Sequence, residues 1–220
     1  EAVSGDVVLK TAEEFLKEQD KDFMNQLSLY SEFYKQGDYN SAFPHWEVLK
    51  NKYPKSTSNI YIHGTKIYES LYENAKTDAE RDKYLNDIMK LADQRIKYFG
   101  GKGFVLGRKG TTWLKYKLDE KRDTPLQGEN LKSALQTGYD WLNTSVDMEK
   151  AGTELPIFLL LMQTSRSLFK MGALQKEVVV NNYEKCTTLL NEIKSKTTDQ
   201  QKIKDIKEIA AVLALFHIDK

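Results

Sequence analysis

The chain has 220 residues, 40% of them hydrophobic and 30% charged, which is enough apolar material for a folded domain and argues against a disordered chain. Its 33 basic and 32 acidic residues leave a net charge of +1, so no strong overall attraction to nucleic acid or to an anionic membrane is expected. The one cysteine, Cys186, excludes an internal disulfide framework and a multi-cysteine zinc site.

The apolar runs and the first residue of the sequence give information about the cellular location of the protein. No apolar run reaches the roughly 18 to 20 residues that span a bilayer, so no transmembrane segment is predicted. The longest run, 155–162, is interrupted by Pro156. The chain begins at Glu1 instead of a methionine. We therefore expect a processed or shortened polypeptide, and a removed signal peptide is one of the two explanations that the sequence leaves open.

Hydrophobic periodicity predicts a pair of helices within residues 23–56. The first helix has large side chains at steps of three and four, the spacing of one helix face: Phe23, Leu27, Tyr30, Phe33 and Tyr34. Gly37 then predicts a stop and Asp38 an N-cap. The second helix repeats the spacing in a further set: Tyr39, Ala42, Trp46, Leu49 and Tyr53. Pro54 cannot easily continue this helix, so the helix is expected to end there.

Three further helix pairs and a terminal helix are predicted, over about 57–100, 103–146, 153–194 and 198–218. In the last pair, Thr153 or Glu154 is expected to cap the first helix, with Pro156 in its first turn. The run Val178–Val180 would also suit a strand, but a lone strand would have no partner, so a helix is predicted there. No low-complexity linker divides the chain, and residues 1–220 are therefore predicted to form a single helical-repeat domain of about ten helices.

The stretch GDYNSAFPHWEVLKNKYPKS resembles the second helix of a tetratricopeptide repeat (TPR). Five residues match the pattern of that family in order. They are the turn glycine (Gly37), the tyrosine (Tyr39), the small residue (Ala42), the aromatic residue (Trp46) and the terminal proline (Pro54). Upstream, Leu29 and Phe33 match two core positions of the first helix. Tyr30 stands where the family prefers glycine or alanine, and Gln26 replaces its usual tryptophan. The resemblance covers residues 23–56 and implies stacked helix pairs.

Later units depart further from the TPR pattern. Gly64 and Gly107 each look like the small residue in the middle of a first helix, but they are 43 residues apart instead of the standard 34. The whole chain therefore resembles a degenerate TPR-like array. The segments YIHGTKIYESLY and DQRIKYFGGKGFVLGRKG are also similar to uncharacterised extracytoplasmic repeat proteins of Bacteroidetes-type bacteria. That likeness implies a periplasmic or cell-envelope location, with a cytoplasmic one left open.

The TPR resemblance also implies a concave groove, lined by fixed positions of the first helices, in which a protein or peptide partner binds. Carried onto this chain, those positions are Tyr34, Lys35, Tyr61, Thr65, Tyr68, Glu69, Arg108 and Thr112. A groove of tyrosine, lysine, arginine and glutamate suits an extended peptide. The expected partner is therefore a protein or peptide.

The glycine-rich stretch GGKGFVLGRKGTT is the one that most resembles a ligand-binding loop. It is not a P-loop, because only three residues separate Gly103 from Gly107 and because Gly110, instead of serine or threonine, follows Lys109. An anion held at a helix N-terminus is one interpretation. The favoured interpretation is a turn between repeats, with Gly107 permitting close helix packing.

No catalytic residue, metal site or cofactor is predicted. The histidines, His45, His63 and His217, form neither an HExxH motif nor an i,i+4 pair. Cys186 is expected to be a buried structural thiol. The many carboxylates have spacings typical of solvated helix faces with lysine partners.

The densest basic region interleaves cations with aromatic rings: Lys102, Phe104, Arg108, Lys109, Trp113, Lys115, Tyr116, Lys117, Lys121 and Arg122. Such a combination can bind single-stranded nucleic acid. Neighbouring acidic residues dilute the charge and Trp113 is expected in the core, so a solvated face is favoured. No nucleic-acid partner is therefore expected.

These patterns predict an all-α fold, a TPR-like right-handed solenoid of about four to five antiparallel helix pairs. The predicted function is a non-enzymatic scaffold for protein–protein interaction. The alternative is an extracytoplasmic protein that binds a glycan or small ligand, with tyrosines and Trp46 as stacking platforms. An enzyme ranks third, because the sequence contains no catalytic constellation, and nucleic-acid binding ranks fourth.

Overall fold

Helices, and no strand, make up the regular structure of residues 7–216, the part of the chain that the computed structural model describes. The chain divides into two units, Glu1–Gly100 and Gly101–Lys220. The first unit contains α1 (Ala12–Lys17), α2 (Lys21–Lys35), α3 (Tyr39–Lys52), α4 (Asn59–Glu73) and α5 (Asp78–Phe99). The second contains α6 (Lys102–Lys117), α7 (Gly128–Glu149), α8 (Leu155–Lys170), α9 (Lys176–Ser195) and α10 (Gln200–Ala214).

The four predicted helix pairs correspond to α2–α3, α4–α5, α6–α7 and α8–α9, and in each pair the two helices pack on one another. Helix α9 includes Val178–Val180, so the helix predicted there is confirmed. The terminal helix begins two residues later than expected, and its predicted end at 217–218 lies outside the described residues. Helix α1 and the 3-10 turn Lys150–Gly152 were not predicted. A single domain over 1–220 stays a prediction.

Side chains cap most of the helix starts in the first unit. The Asp20 side chain accepts a hydrogen bond at the start of α2, Asp38 does so at α3 and Thr77 at α5. Thr11 forms a capping box with Glu14 and thereby stabilises the short helix α1. Sequence reasoning missed α1 because six residues contain too few turns for a clear period.

The expected cap of α8 is corrected by the structure. Glu154 occupies the N-cap position, but its side chain makes no cap hydrogen bond. Thr153 is buried and its hydroxyl has no hydrogen-bond partner among the described residues. Pro156 lies in the first turn, as expected, where its missing N–H leaves no helical bond unmade.

An aromatic cluster joins α1 to the α2–α3 pair. The Phe15 ring centroid lies 4.7 Å from that of Phe23 and 4.9 Å from that of Tyr53, and all three side chains are buried. The Tyr53 hydroxyl donates to Asp22 at 2.8 Å. Short α1 is therefore held by Phe15, since aromatic pairs at this distance add to the free energy of burial.

Trp46 sets how closely α3 and α4 approach each other. Its ring is fully buried and lies over the backbone of Gly64, while its Nε1–H donates to the Ile60 carbonyl at 2.7 Å. A Cβ at position 64 would overlap Trp46 Cζ2. Glycine is therefore required at this crossing, which agrees with the small residue expected there.

We expect Gly64→Ala to destabilise the first unit by about 1–3 kcal/mol, the usual range for overpacking a tight core. The added methyl would displace the Trp46 indole from its slot and disturb its hydrogen bond to Ile60. Urea denaturation followed by tryptophan fluorescence measures the change. Lys66→Ala, an exposed change on the same helix, is the control and should stay within about 0.5 kcal/mol of wild type. Equal stabilities of Gly64→Ala and the control would contradict this packing.

The second unit also uses glycines where helices cross. A Cβ on Gly107 would lie 2.6 Å from Ile157 Cδ1, and one on Gly138 would lie 2.6 Å from the side chain of Leu114. Gly100 and Gly101, both with positive φ, form the turn before α6. The glycine-rich stretch is therefore a turn followed by a close-packed helix face, as favoured from the sequence.

A buried polar network ties α7, α8 and α9 together. The Asn182 amide donates to the Tyr139 hydroxyl at 2.9 Å and to the Ser165 hydroxyl at 3.2 Å. All three residues are buried within an otherwise apolar core. The Ser165 hydroxyl also donates to the Leu161 carbonyl at 2.6 Å. Buried polar groups are costly when left unpaired, so the Asn182 amide and the Tyr139 hydroxyl depend most on this network.

We expect Asn182→Ala to destabilise the second unit by about 2–4 kcal/mol, since it leaves a void, removes the partner of the buried Tyr139 hydroxyl and removes one of the two partners of the Ser165 hydroxyl. Thermal unfolding and urea denaturation measure the loss. Exposed Asn191→Ala, later on the same helix, serves as the control. A loss no larger than that of the control would show that the network contributes nothing to stability.

Candidate functional site

A cleft of about 340 Å³ opens in the first unit, between α2 and α4 and beside α1. We call it the α2/α4 cleft. Its walls are Ala12, Leu27, Tyr30, Ser31, Tyr34, Lys35, Thr57, Asn59 and His63. The residues from α2 recur at steps of three and four, and Asn59 and His63 are four apart on α4. One face of each helix therefore lines the cleft.

His63 is the central polar group of the α2/α4 cleft. Its Nδ1 lies 2.7 Å from the Tyr30 hydroxyl, and its ring stacks on Tyr34 with centroids 4.0 Å apart and planes at 14°. The Tyr30 side chain is buried, whereas Tyr34 and His63 are half-buried. Two α2 side chains thus fix the imidazole of α4 in position and orientation.

Burial determines the protonation states in this cluster. Burial raises the pKa of Tyr30 to about 12 and, with smaller contributions from Tyr39 and Glu69, also raises the pKa of Tyr34. Burial, assisted by the positive charge of Lys66, lowers the pKa of His63. At neutral pH the cleft therefore contains neutral tyrosines and a neutral histidine.

Lys35 is the charged residue of the cleft wall. It is exposed, and it forms no ion pair or hydrogen bond through its side chain with the described residues. Its ammonium group is therefore available to a partner. Together, Tyr34 and Lys35 are the two groove residues expected from the sequence that line this cleft.

Two other expected groove residues of the first unit serve the core instead. The side chains of Tyr61 and Tyr68 are 2% and 5% exposed. The Tyr61 hydroxyl donates to the Pro54 carbonyl at 2.6 Å, and the Tyr68 ring packs edge-on against Trp46. Neither ring presents a surface that a partner could contact.

Thr65 and Glu69, also expected in the groove, are half-buried on α4. The Thr65 hydroxyl donates to the Tyr61 carbonyl one turn back, at 2.9 Å. Glu69 already has an interaction within the chain, and its charge acts on Tyr34. Both residues therefore have local roles in the first unit.

Arg108 and Thr112 belong to the second unit. The Arg108 guanidinium donates to both oxygens of the Glu154 carboxylate, at 2.6 and 2.8 Å, and its carbon lies 5.1 Å from the centroid of the Phe104 ring. The Arg108 side chain is still 61% exposed. Thr112 is half-buried one turn further along α6. Arg108, one of the two cations expected in the groove, is thus already paired with the chain's own carboxylate.

Two lysines of the basic region of α6 lie against tryptophan rings of the chain itself. Lys109 is buried with its ammonium 4.0 Å from the centroid of the Trp141 ring, and Lys117 lies 4.9 Å from that of Trp113. Arg122 is also buried. A base stacking on the lysine-covered face of either indole ring would have to displace that lysine.

The second unit has broader hollows of mixed charge. One of about 590 Å³ between α7 and α9 includes Lys185, whose ammonium donates to Asn143 and Asp147 at 2.7 and 2.8 Å. Another of about 480 Å³ has Glu154, Asp205 and Glu208 at its rim. The principal charges in the first of these are paired with each other, and the second is lined by acidic groups. Neither has a fixed aromatic and histidine cluster like that of the α2/α4 cleft.

Reactive and metal-binding groups give no second candidate site. No group of three or more histidine, cysteine or acidic side chains within residues 7–216 could hold a metal ion. Cys186 is buried, and burial raises the pKa of its thiol to about 12. No helix in that part of the chain is long and apolar enough to cross a membrane.

Sequence reasoning missed His63 and Asn59 as residues of the cleft. The groove positions taken from the TPR resemblance put Tyr61 and Tyr68 on the groove face of α4. Both residues belong instead to the apolar stripe of this helix, together with Ile60, Gly64 and Ile67. The polar pair Asn59 and His63, four residues apart, marked the true cleft face. Periodicity of the polar residues would have found it.

A solved helical-repeat structure shares the fold of this chain. The chain is similar to TTC0263, described as a thermophilic TPR protein from Thermus thermophilus, with 14% sequence identity and a TM-score of 0.50. The match covers 92% of this chain and 87% of that chain. No protein-family model matches the chain, and no curated protein matches it. The predicted all-α, TPR-like fold is therefore confirmed. The likeness to extracytoplasmic proteins of Bacteroidetes-type bacteria stays a prediction.

We expect His63 to stabilise the first unit more at neutral than at acidic pH. The pKa of His63 is lower in the folded than in the unfolded chain, so the unfolded chain takes up the proton first as the pH falls. The contribution is complete above the unfolded pKa of about 6.5 and is lost as the pH falls through the folded pKa. In urea denaturation at a series of pH values, the free energy of unfolding should therefore fall less steeply for His63→Gln.

The charged and titratable groups around His63 are Tyr30, Tyr34 and Lys35 of α2 and Lys66 of α4. Lys66→Gln removes the nearby positive charge and should raise the pKa of His63 in an NMR titration. Identical pH slopes for wild type and His63→Gln would contradict the expected linkage.

Proposed function

We propose that this protein is a non-enzymatic interaction module that binds an extended segment of a protein partner in the α2/α4 cleft. The observation that carries the proposal is the set of uncommitted polar groups there. Lys35 has no ion-pair partner within the described residues, and one edge of the His63 ring is also unbonded. The fold supports the proposal, because helical-repeat proteins bind partners along the faces of successive helices.

The cleft is suited to binding because its walls are already ordered. Tyr34 is held between the His63 ring and the Tyr39 ring, 4.0 and 5.2 Å away between centroids. A partner residue packing on Tyr34 would therefore lose its own freedom but would not need to order the wall. Lys35, at the exposed rim, would attract carboxylates of the partner.

The proposed contact set is smaller than the set expected from the sequence. Tyr34 and Lys35 remain, and His63 joins them. Arg108 and Thr112 remain as a proposed second contact in the other unit, where a partner carboxylate would compete with Glu154 for the guanidinium. Exposed salt bridges typically contribute about 0–1 kcal/mol, but a bidentate pair is among the stronger ones, so a partner carboxylate would have to match the bidentate geometry of Glu154.

The alternative of a glycan-binding or small-ligand protein has less support. Trp46 was its expected stacking platform, but that ring is fully buried against Gly64 and Ile60. A stacking platform for a sugar ring needs an exposed aromatic face. Tyr34 offers only a half-buried one.

We expect the variant Lys35→Glu to weaken partner binding by about tenfold, equivalent to about 1.4 kcal/mol, because it replaces an attractive charge with a repulsive one. Tyr34→Ala should have an effect of similar size through lost packing. The tagged full-length chain would be used to capture partners from its source cells, and the affinity of each captured partner would then be measured with purified protein. Lys207→Glu, an exposed change on α10, is the control of equal charge.

A partner lost with Lys35→Glu and Tyr34→Ala but retained with Lys207→Glu would support the proposal. A specific partner retained by all three variants would show that binding occurs elsewhere. Recovery of no protein partner by folded bait would favour a small ligand.

An extracytoplasmic location is also proposed, and cell fractionation with antibody detection would test it.

A further inference from the structure

The hydrogen bond between Tyr30 and His63 determines which ring nitrogen carries the proton. The Tyr30 hydroxyl is buried, and its sole hydrogen bond with the described residues is the one to His63 Nδ1. If Nδ1 were protonated and donated to Tyr30, the tyrosine proton would have no acceptor. A buried donor without an acceptor is strongly disfavoured. Tyr30 therefore donates to Nδ1, and the proton of the neutral imidazole is on Nε2.

His45 provides an internal comparison on the neighbouring face of α2. Its Nδ1 lies 2.8 Å from Gln26 Oε1, and its ring is parallel to that of Phe33 to within 14°. An amide oxygen only accepts hydrogen bonds, so His45 is the donor in this contact. His45 therefore carries a proton on Nδ1. Two histidines packed on the same helix are thus expected in opposite states.

The Nε2–H of His63 is left for a ligand. The Nδ1 edge of the ring is directed at buried Tyr30 and one face is covered by Tyr34, so the Nε2 edge is the polar part that remains at the cleft. Within residues 7–216, no hydrogen bond is made by Nε2. A partly buried donor of this kind favours a ligand with an acceptor.

We infer that His63 is the specificity-determining residue of the α2/α4 cleft, donating through Nε2–H to a side-chain carboxylate of an acidic peptide segment. This inference rests on the proposed function. Lys35 is the charged group of the cleft wall and favours an anionic acceptor over a neutral one. Tyr30 is a positioning residue, since it acts on the ligand only by fixing the proton of His63.

The protonation state is tested first, in the free full-length protein. Two-dimensional ¹H–¹⁵N NMR at neutral pH distinguishes a protonated from an unprotonated ring nitrogen. We expect His63 protonated on Nε2 and His45 protonated on Nδ1, and we expect Tyr30→Phe to abolish the preference of His63 alone. A His63 ring protonated on Nδ1 in wild type would overturn the inference, whatever the binding data show.

Two substitutions of His63 then distinguish the role of its Nδ1 from the role of its Nε2. His63→Gln can place an amide N–H near the position of Nε2 but offers no acceptor to Tyr30. His63→Asn can place an oxygen near the position of Nδ1, which keeps the Tyr30 bond, but cannot reach the ligand. The probes are hexaglutamate, hexaglutamine and hexalysine peptides with acetylated and amidated ends, so that no terminal carboxylate takes part. Circular dichroism and thermal unfolding verify that each variant is folded.

We expect wild type to bind hexaglutamate more tightly than hexaglutamine and to bind hexalysine least. Affinity for hexaglutamate should fall roughly tenfold in His63→Asn and by no more than about threefold in His63→Gln, as expected for loss of a hydrogen bond to a charged group. Equal losses in the two variants, with binding still sensitive to Lys35→Glu, would overturn this inference but leave the proposed function standing. Binding of none of the peptides by wild type would count against both.

Discussion

The packing of the Trp46 indole on Gly64 is the constraint on which the first unit depends. The contact lets α3 and α4 approach closely, and the Nε1–H bond to Ile60 prevents rotation of α4 about its axis. With the rotation of α4 set, its apolar stripe faces the core and its polar stripe, including His63, faces α2. The candidate site is thus a consequence of how one glycine accommodates one large ring.

Helix existence and pairing were predictable because local rules decide them. Steps of three and four, glycine stops and aspartate or threonine caps predicted the α2–α3 pair within two residues at either end. The site was less predictable. Positions carried over from a family assume a fixed helix rotation, and Tyr61 and Tyr68 are as well suited to a core as to a groove. The tertiary contacts show that the cleft face is the one with His63, for which the four-residue spacing of Asn59 and His63 was the signal in the sequence.

The two cations of the proposed contact set differ in their pairing, and the difference bears on the proposed function. Lys35 is left without a counter-ion among the described residues, whereas Arg108 is held by both oxygens of Glu154. A lone lysine on a flexible stem retains much side-chain freedom, while the paired guanidinium is already oriented. Under the proposed function, Lys35 could pair with an anionic partner directly, whereas Arg108 would have to exchange one carboxylate for another.

The reactivity of Cys186 can be used to measure local opening of the second unit. The thiol is the one cysteine of the chain, is fully buried beside α7 and α8, and is kept protonated by its surroundings. Because only the exposed thiolate reacts with alkylating reagents, modification requires the helices around it to separate. The rate of labelling in the native protein therefore measures the frequency of opening in that unit, without an engineered probe and without interference from the first unit.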